Sequence, residues 1–206
     1  MNACICHAIV SVDNQLEVLI LQHPAETGNA KGSVRLLDLC LGKSRVVQGE
    51  IFDAQMLSAL LYQPVSRGDC NDAGERMYPV LMYPDTASSE AADLQIRLAP
   101  RFDVAEAHSH VRLVILDATW RKSRKMLYLN PVLQSLPRLS LDAMPASHYR
   151  IRKAHKPDQL SSLEACAYAL MRLENDEEKF LPLLQAFDCF VEQQLQRMPF
   201  HSVSLK

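Results

Sequence analysis

LVILDATWRKSRKMLY, residues 113–128, is the stretch that decides the fold of this chain. Its first four residues are apolar and include two β-branched side chains, which predicts a strand buried on both faces. Asp117 follows at once, and Thr119 is placed to cap a helix whose apolar residues recur at helical spacing. A carboxylate between the carboxyl end of a buried strand and the start of a helix lies where open α/β sheets bind ligands.

Short apolar runs alternate with amphipathic segments along the rest of the chain. Strands are predicted at residues 8–12, 17–21, 45–48, 78–83, 113–116 and 138–141. Helices are predicted at residues 34–41, 54–61, 120–128, 162–173 and 177–197. This alternation predicts an α/β fold with a mainly parallel sheet and helices on both faces. At 206 residues we expect one domain over 1–206, ending in a helical segment within 174–206.

Several helix details follow from the residue types. Ser33 and Asp53 are predicted N-caps, and Ser161 with Glu164 forms the pattern of a capping box. The last helix has an apolar face that should point inward, formed by Phe180, Leu183, Leu184, Phe187, Val191 and Leu195.

The charge of the chain is unevenly distributed. Its net charge is only −2, yet residues 112–156 contain ten Lys or Arg and two acidic residues. Four of these cations, Arg121, Lys122, Arg124 and Lys125, cover the exposed arc of the helix after Asp117. Such an asymmetry indicates a polyanionic partner on one face, and chance clustering on a solvated surface is the alternative.

Composition and motifs narrow the class of protein. No apolar run approaches the length of a membrane span, and no signal peptide is recognisable, so we expect a cytoplasmic protein. Six scattered cysteines suit free thiols in a reducing compartment. Cys4 and Cys6 lack a second cysteine pair, so bound zinc is not expected.

The sequence lacks the glycine-rich dinucleotide motif, the P-loop motif and the nucleophile elbow. Two roles stay open for the Asp117 carboxylate. It could accept a proton from a bound nucleotide, or it could merely cap a helix in a non-catalytic RNA-binding surface.

Five sequence blocks extend this picture, and the match to which they belong spans about residues 4–173. The blocks are Asp117-Ala118-Thr119-Trp120 with Arg124-Lys125-Met126; His23-Pro24-x-Glu26 with Gly32-Ser33-Val34-Arg35-Leu36; Tyr83-Pro84; Ser147-x-Tyr149-Arg150-Ile151-Arg152; and Leu160-Ser161-Ser162-x-Glu164-Ala165. Their pattern resembles the DTW-domain family of tRNA-uridine aminocarboxypropyltransferases, which is related to the knotted SPOUT RNA-modifying enzymes. The chain departs from the family in its N-terminal cysteines, of which only Cys4 and Cys6 remain, in Gly32 and Val34, and in Ser162, where a threonine is usual.

The resemblance implies a SPOUT-like fold with a C-terminal trefoil knot. It also implies S-adenosylmethionine as donor, with the 3-amino-3-carboxypropyl group transferred to N3 of a uridine in tRNA. Because N3–H is a weak acid, a base must accept its proton, and Asp117 is our candidate; binding of the donor's α-ammonium is its alternative role. The rival functions are a SPOUT-type methyltransferase and a non-catalytic RNA-binding protein. We expect a monomer.

Two sets of site residues follow from the same resemblance. The predicted donor-binding positions are Tyr83, Pro84, Leu116, Thr119, Trp120, Leu139, Ser161 and Glu164. The predicted RNA-binding positions are His23, Arg35, Arg121, Arg124, Lys125, Tyr149, Arg150 and Arg152. Three alternatives stay open: Trp120 as a core anchor of its helix, His23 as an ordinary loop residue, and residues 147–156 as an edge strand with a charged outer side.

Overall fold

A parallel sheet forms the centre of the structure, a computed structural model that describes residues 4–28, 32–64, 75–84, 99–107, 109–141 and 160–197. Within these residues the sheet has five strands, β1 (Glu17–Gln22), β2 (Ser44–Gln48), β3 (Tyr78–Met82), β4 (Val111–Asp117) and β5 (Arg138–Leu139). Their order is β2-β1-β4-β3-β5, and every pairing is parallel. The predicted parallel α/β architecture is confirmed, and all carboxyl ends of the strands lie along one edge of the sheet.

Helices cover both faces of this sheet. They are α1 (Val34–Cys40), α2 (Ala54–Tyr62), α3 (Trp120–Leu129), α4 (Pro131–Gln134), α5 (Ser162–Glu174) and α6 (Glu177–Arg197). Alternate residues of β4 separate the two cores, because successive side chains of a strand point to opposite faces. Leu113 and Ile115 belong to the core formed with α1, α5 and α6, whereas Val114 belongs to the core formed with α2, α3 and α4.

The central strand β4 is buried as predicted and is fixed at its amino end by an ion pair. Leu113 and Val114 have no exposed surface, and Arg112 is 3% exposed. The Arg112 guanidinium pairs with the Glu17 carboxylate and donates to the main-chain oxygens of Leu60 and Gln63 at the end of α2. A buried cation needs such partners, since unpaired charge in a core is costly.

Several predicted local features differ in the structure. Residues 8–12 do not form a strand; a 3-10 helix covers Cys6–Ala8, and Val12 makes an isolated parallel bridge with Leu41. Ser33 stands at the N-cap of α1 without a side-chain capping bond. Leu195 is 37% exposed and Gln194 is buried instead.

Other local predictions are confirmed. Asp53 caps α2 by accepting from the Met56 amide at 2.9 Å. Ser161 and Glu164 form the complete capping box of α5. The five cysteines in the described residues are free thiols: Cys4, Cys6, Cys40, Cys166 and Cys189. Among the helices described, none combines the length and the apolar character that crossing a membrane requires.

The C-terminal knot stays a prediction. The segment that joins β5 to α5 contains residues 142–159, which lie outside the described residues. Three predicted RNA-binding residues, Tyr149, Arg150 and Arg152, lie in that segment as well.

Candidate active site

The Asp117 carboxylate lies at the carboxyl edge of the sheet with a hydrogen-bond donor on each oxygen. Asp117 is the last residue of β4 and is half-buried. The Ser162 hydroxyl donates to Oδ1 at 2.6 Å, and the Gln22 side-chain amide donates to Oδ2 at 2.9 Å. Two donors on opposite oxygens fix the orientation of the carboxylate, which leaves its remaining lone pairs to accept a proton or a cationic group.

Sheet register and helix capping bring these two donors to Asp117. Gln22 is the last residue of β1 and pairs directly with Asp117 in the β1–β4 register. The next amide, that of His23, donates to the main-chain oxygen of Asp117 at 2.9 Å. Ser162 is the first residue of α5, whose start is fixed by the Ser161–Glu164 capping box. The carboxylate therefore lies beside the N-terminus of α5, where the helix dipole favours negative charge.

An aromatic pair borders the same edge. Tyr83 follows β3 directly, and its amide donates to the main-chain oxygen of Leu139 at 3.2 Å. The Trp120 ring stacks on the Tyr83 ring, with centroids 5.3 Å apart and planes 12° from parallel. Burial raises the pKa of the Tyr83 phenol, so this ring stays neutral at physiological pH. The predicted donor-binding positions at the ends of β3, β4 and β5 thus share one edge of the sheet.

Three of the predicted donor-binding positions stand at helix starts, and two of them have clear local roles. Thr119 stands at the N-cap of α3, but its hydroxyl makes no capping bond within the described structure. Ser161 and Glu164 are each only 4% exposed. The Glu164 amide donates to Ser161 Oγ at 3.2 Å, and the Ser161 amide donates to the Glu164 carboxylate at 2.8 Å. These last two side chains therefore hold the start of α5, whatever else they contact.

The basic helix α3 is joined to the strand ends by an acidic residue that the motifs did not indicate. Glu50, just beyond β2, accepts from the ring Nε2 of His23 at 3.1 Å and from Lys125 Nζ at 3.0 Å. His23 Nδ1 accepts from the Ala25 amide at 3.0 Å, which leaves the Nε2 proton to be donated to Glu50. Hydrogen bonds from Lys125 and His23 lower the pKa of Glu50.

The remaining cations fall into separate environments. Lys122 Nζ lies 3.3 Å from a Glu26 carboxylate oxygen. Arg121 is exposed, and Arg124 is half-buried close to Tyr83. Arg35 is exposed on α1, on the opposite face of the sheet from α3. The structure therefore brings Lys125 together with His23 through Glu50, and it places Arg35 on the other face of the sheet.

Motif reasoning missed Gln22, Ser162 and Glu50 as partners of site residues. Gln22 becomes visible only when β1 is paired with β4, a contact between residues 95 positions apart. Ser162 belongs to the block that carries the capping box, so its hydroxyl was a signal that the sequence offered. Nothing around Glu50 distinguishes it from other loop acids, because its contacts depend on the placement of α3.

The edge that carries Asp117 is neither a metal cluster of the described residues nor part of the open cavity along α2. Among the described residues, no three His, Cys, Asp or Glu side chains converge as metal ligands. The hydrogen bond with Cys4 raises the pKa of the Cys6 thiol. An open cavity of about 460 Å³ lies along α2, lined in part by Tyr62 and Arg76, and no predicted site residue lines it.

The structure is an α/β protein with a parallel sheet and a fixed carboxylate, beside a basic helix, at the edge where open sheets bind ligands. The chain belongs to the DTW domain family, whose family model matches residues 1–195. It is similar to proteins named tRNA-uridine aminocarboxypropyltransferase 2. It is 29% identical to the one from Macaca fascicularis over 176 residues, which covers 83% of this chain and 53% of that protein.

Two further relatives of the same name give a similar picture. The chain is 26% identical to the Drosophila melanogaster protein over 181 residues, with 87% of this chain and 64% of that protein covered. It is 27% identical to the Mus musculus protein over 196 residues, with 92% and 60% covered. The chain thus spans roughly half to just under two thirds of the length of these relatives. Comparison with solved structures gives no significant match.

Proposed function

We propose that this chain transfers the 3-amino-3-carboxypropyl group of S-adenosylmethionine to N3 of a uridine in tRNA. The observation that carries this proposal is the Asp117 carboxylate, held by Gln22 and Ser162 at the edge where open parallel sheets bind ligands. Family membership and the names of the relatives supply the reaction class.

Asp117 acts as the base in this reaction. As the N3–carbon bond forms and the sulfur–carbon bond breaks, the N3 proton passes to the carboxylate, so charge does not build up on the uracil ring. The two donors on Asp117 serve orientation, because a base must lie within hydrogen-bonding reach of its proton. S-adenosylmethionine, when bound, supplies the alkyl group on a sulfonium leaving group.

The residues at the strand ends fit such a donor. We assign the adenosine to the strand ends at Tyr83, Leu116 and Leu139, and the half-buried Thr119 hydroxyl is not used in capping α3. The sulfonium has three alkyl carbons, and only orientation decides which of them reacts. The protein must therefore place the Cγ of the methionine moiety, and not the methyl group, toward the uridine.

The tRNA contacts α3 through its cations. Arg121, Arg124 and Lys125 bind phosphates, and His23 lies at the end of β1 beside them. We propose that Tyr149, Arg150 and Arg152 bind the RNA as well. We further propose that the chain works as a monomer in the cytoplasm and without zinc, and that it has the knotted SPOUT-like topology. The free thiols of the described cysteines suit a reducing compartment.

Isotopic labelling of the donor tests the proposal and separates its rivals. Full-length chain is incubated with tRNA and with S-adenosylmethionine labelled either in the carboxyl carbon or in the methyl carbon. We expect label in tRNA only from the carboxyl position, on a uridine nucleoside identified by mass spectrometry. Label from the methyl position would identify a methyltransferase instead. RNA binding without transfer of either label would identify a non-catalytic RNA-binding protein.

A further inference from the structure

Trp120 is the single tryptophan of the chain, and the structure holds its indole at the surface in a fixed orientation. It is the first residue of α3, three positions after Asp117, and 45% of it is exposed. One face of the indole rests on Tyr83, with the two planes 12° from parallel. An exposed aromatic ring that is already ordered loses little entropy when a second flat ring stacks on it.

Buried groups support the face of the indole that rests on Tyr83. Tyr83 is 5% exposed, and its hydroxyl lies 3.4 Å from Ser123 Oγ. Ser123 in turn donates to the main-chain oxygen of Trp120 at 2.9 Å. The Arg138 guanidinium lies 5.1 Å from the centre of the Tyr83 ring, within the range of a cation–π contact. The phenol is thus anchored both to the first turn of α3 and to β5.

Anchoring of the helix does not account for the exposed part of the indole. The residues that α3 buries are Ser123, Met126 and Leu127, and the last two belong to the core under the sheet. Other large apolar side chains are exposed as well, among them Tyr128 at the far end of α3. Trp120 differs from these in its place beside Asp117 and in its stacking on a buried ring.

We propose that a nucleobase of the RNA substrate stacks on the exposed indole of Trp120, with Tyr83 and Arg138 as positioning residues beneath it. Stacking on an aromatic side chain is open to every base, because every base has a π-face. The helix that begins at Trp120 carries Arg121 and Arg124, which favours the base of a phosphate-bearing strand over the adenine of the donor. This inference rests on the proposed function, because it takes RNA as the substrate.

Tryptophan fluorescence gives a direct test, since all the signal comes from Trp120. The full chain is titrated with tRNA, with a single-stranded oligouridylate, with base-free polyphosphate and with S-adenosylmethionine. We expect quenching by both RNAs and much less by polyphosphate at equal charge. Equal quenching by polyphosphate would overturn the proposal, and so would quenching by S-adenosylmethionine with no further change on adding RNA, which would assign the stacking to adenine.

Matched variants make the test independent of fluorescence. Trp120→Leu should weaken tRNA binding about tenfold, and Trp120→Phe should recover most of that loss. Tyr128→Leu is the control, because Tyr128 is 55% exposed on the same helix and far from Asp117 in sequence. Thermal melting confirms that each variant is folded. Unchanged tRNA affinity in a folded Trp120→Leu variant would refute stacking.

The two proposals fail in distinguishable ways. If no group transfer occurs but the two RNAs still quench Trp120, the stacking surface stands and the enzymatic proposal fails. If transfer occurs and Trp120→Leu binds tRNA normally, the enzymatic proposal stands and the stacking surface fails.

Discussion

The two helices that begin beside Asp117 start in opposite ways. At the start of α5, Ser161 and Glu164 satisfy each other's amides and are almost fully buried. At the start of α3, Thr119 makes no capping bond within the described structure, and Trp120 is exposed. The polar side chains at the start of α5 cap their helix, whereas the Thr119 hydroxyl at the start of α3 does not.

This difference divides residues that sequence motifs had grouped together. Thr119, Trp120, Ser161 and Glu164 were all predicted to bind the donor. The structure gives Ser161 and Glu164 a role in capping α5, and it gives the Thr119 hydroxyl no role in capping α3. Substitutions at the start of α5 should therefore act mainly on stability, and substitutions around Asp117 and the start of α3 should act mainly on activity.

The largest effect is expected at Asp117. Asp117→Asn should lower transfer by roughly 100-fold to 10,000-fold, the usual contribution of a general base. The asparagine can still accept from Ser162, and Gln22 can rotate its amide to pair with it, so the melting temperature should change little. Transfer is measured by nucleoside mass spectrometry, with the exposed Asp13→Asn as control. Undiminished transfer would remove Asp117 as the base.

The next effect tests the start of α5. Glu164→Ala leaves the buried Ser161 amide without its acceptor, which should cost about 2 kcal/mol and lower the melting temperature by several degrees. The KM for S-adenosylmethionine should stay the same in the folded variant. The control is Glu178→Ala, an exposed acid in the first turn of α6. A raised KM with an unchanged melting temperature would make Glu164 a donor-binding residue.

A smaller effect is expected from the cations of α3. Lys125 is already paired with Glu50, whereas Arg121 is exposed. Arg121→Gln should reduce the slope of log affinity for tRNA against log salt by about 0.9, and Lys125→Gln should reduce it by less. Glu50→Gln should release Lys125 and tighten tRNA binding about twofold to threefold. Equal slopes for all variants and the unaltered chain would make α3 a solvated surface.

The smallest effect concerns the pH dependence of stability. Hydrogen bonds from Lys125 and His23 lower the pKa of Glu50 below the ordinary value of 4.5. The ion pair therefore contributes stability above pH 4.5, and this contribution is lost as the pH falls through the lowered pKa of the folded state. Melting curves of the chain and of Glu50→Gln should differ at neutral pH and converge in acid. A constant difference across this range would contradict the assignment.

The fold was largely predictable because its elements have strong local patterns. The runs at 113–116 and 78–83 correspond to β4 and β3, and both ends of α6 are confirmed. Residues 8–12 show the limit of such patterns: they are apolar enough for a strand, but of these residues Val12 alone forms a β-bridge, with Leu41. Leu195 shows another limit, since the helical period allows position 194 or 195 to face inward and the structure buries Gln194.

The site was predictable only in part. Asp117 could be placed from the strand before it and the helix after it, which are both local. Its partner Gln22 depends on strand register, and its partner Ser162 depends on the placement of α5. The contacts of Glu50 with His23 and Lys125 depend on how α3 packs. Contacts of that kind are absent from any single stretch of sequence, however strong its motif.

The buried Asn130 side chain limits how α3 can move relative to the sheet. Its amide donates to the main-chain oxygens of Glu50 and Met126, and its oxygen accepts from the Phe52 amide. These three hydrogen bonds fix the end of α3 to the turn after β2. A tilt of α3 would therefore move Glu50 with it, and the two segments would move as one rigid body.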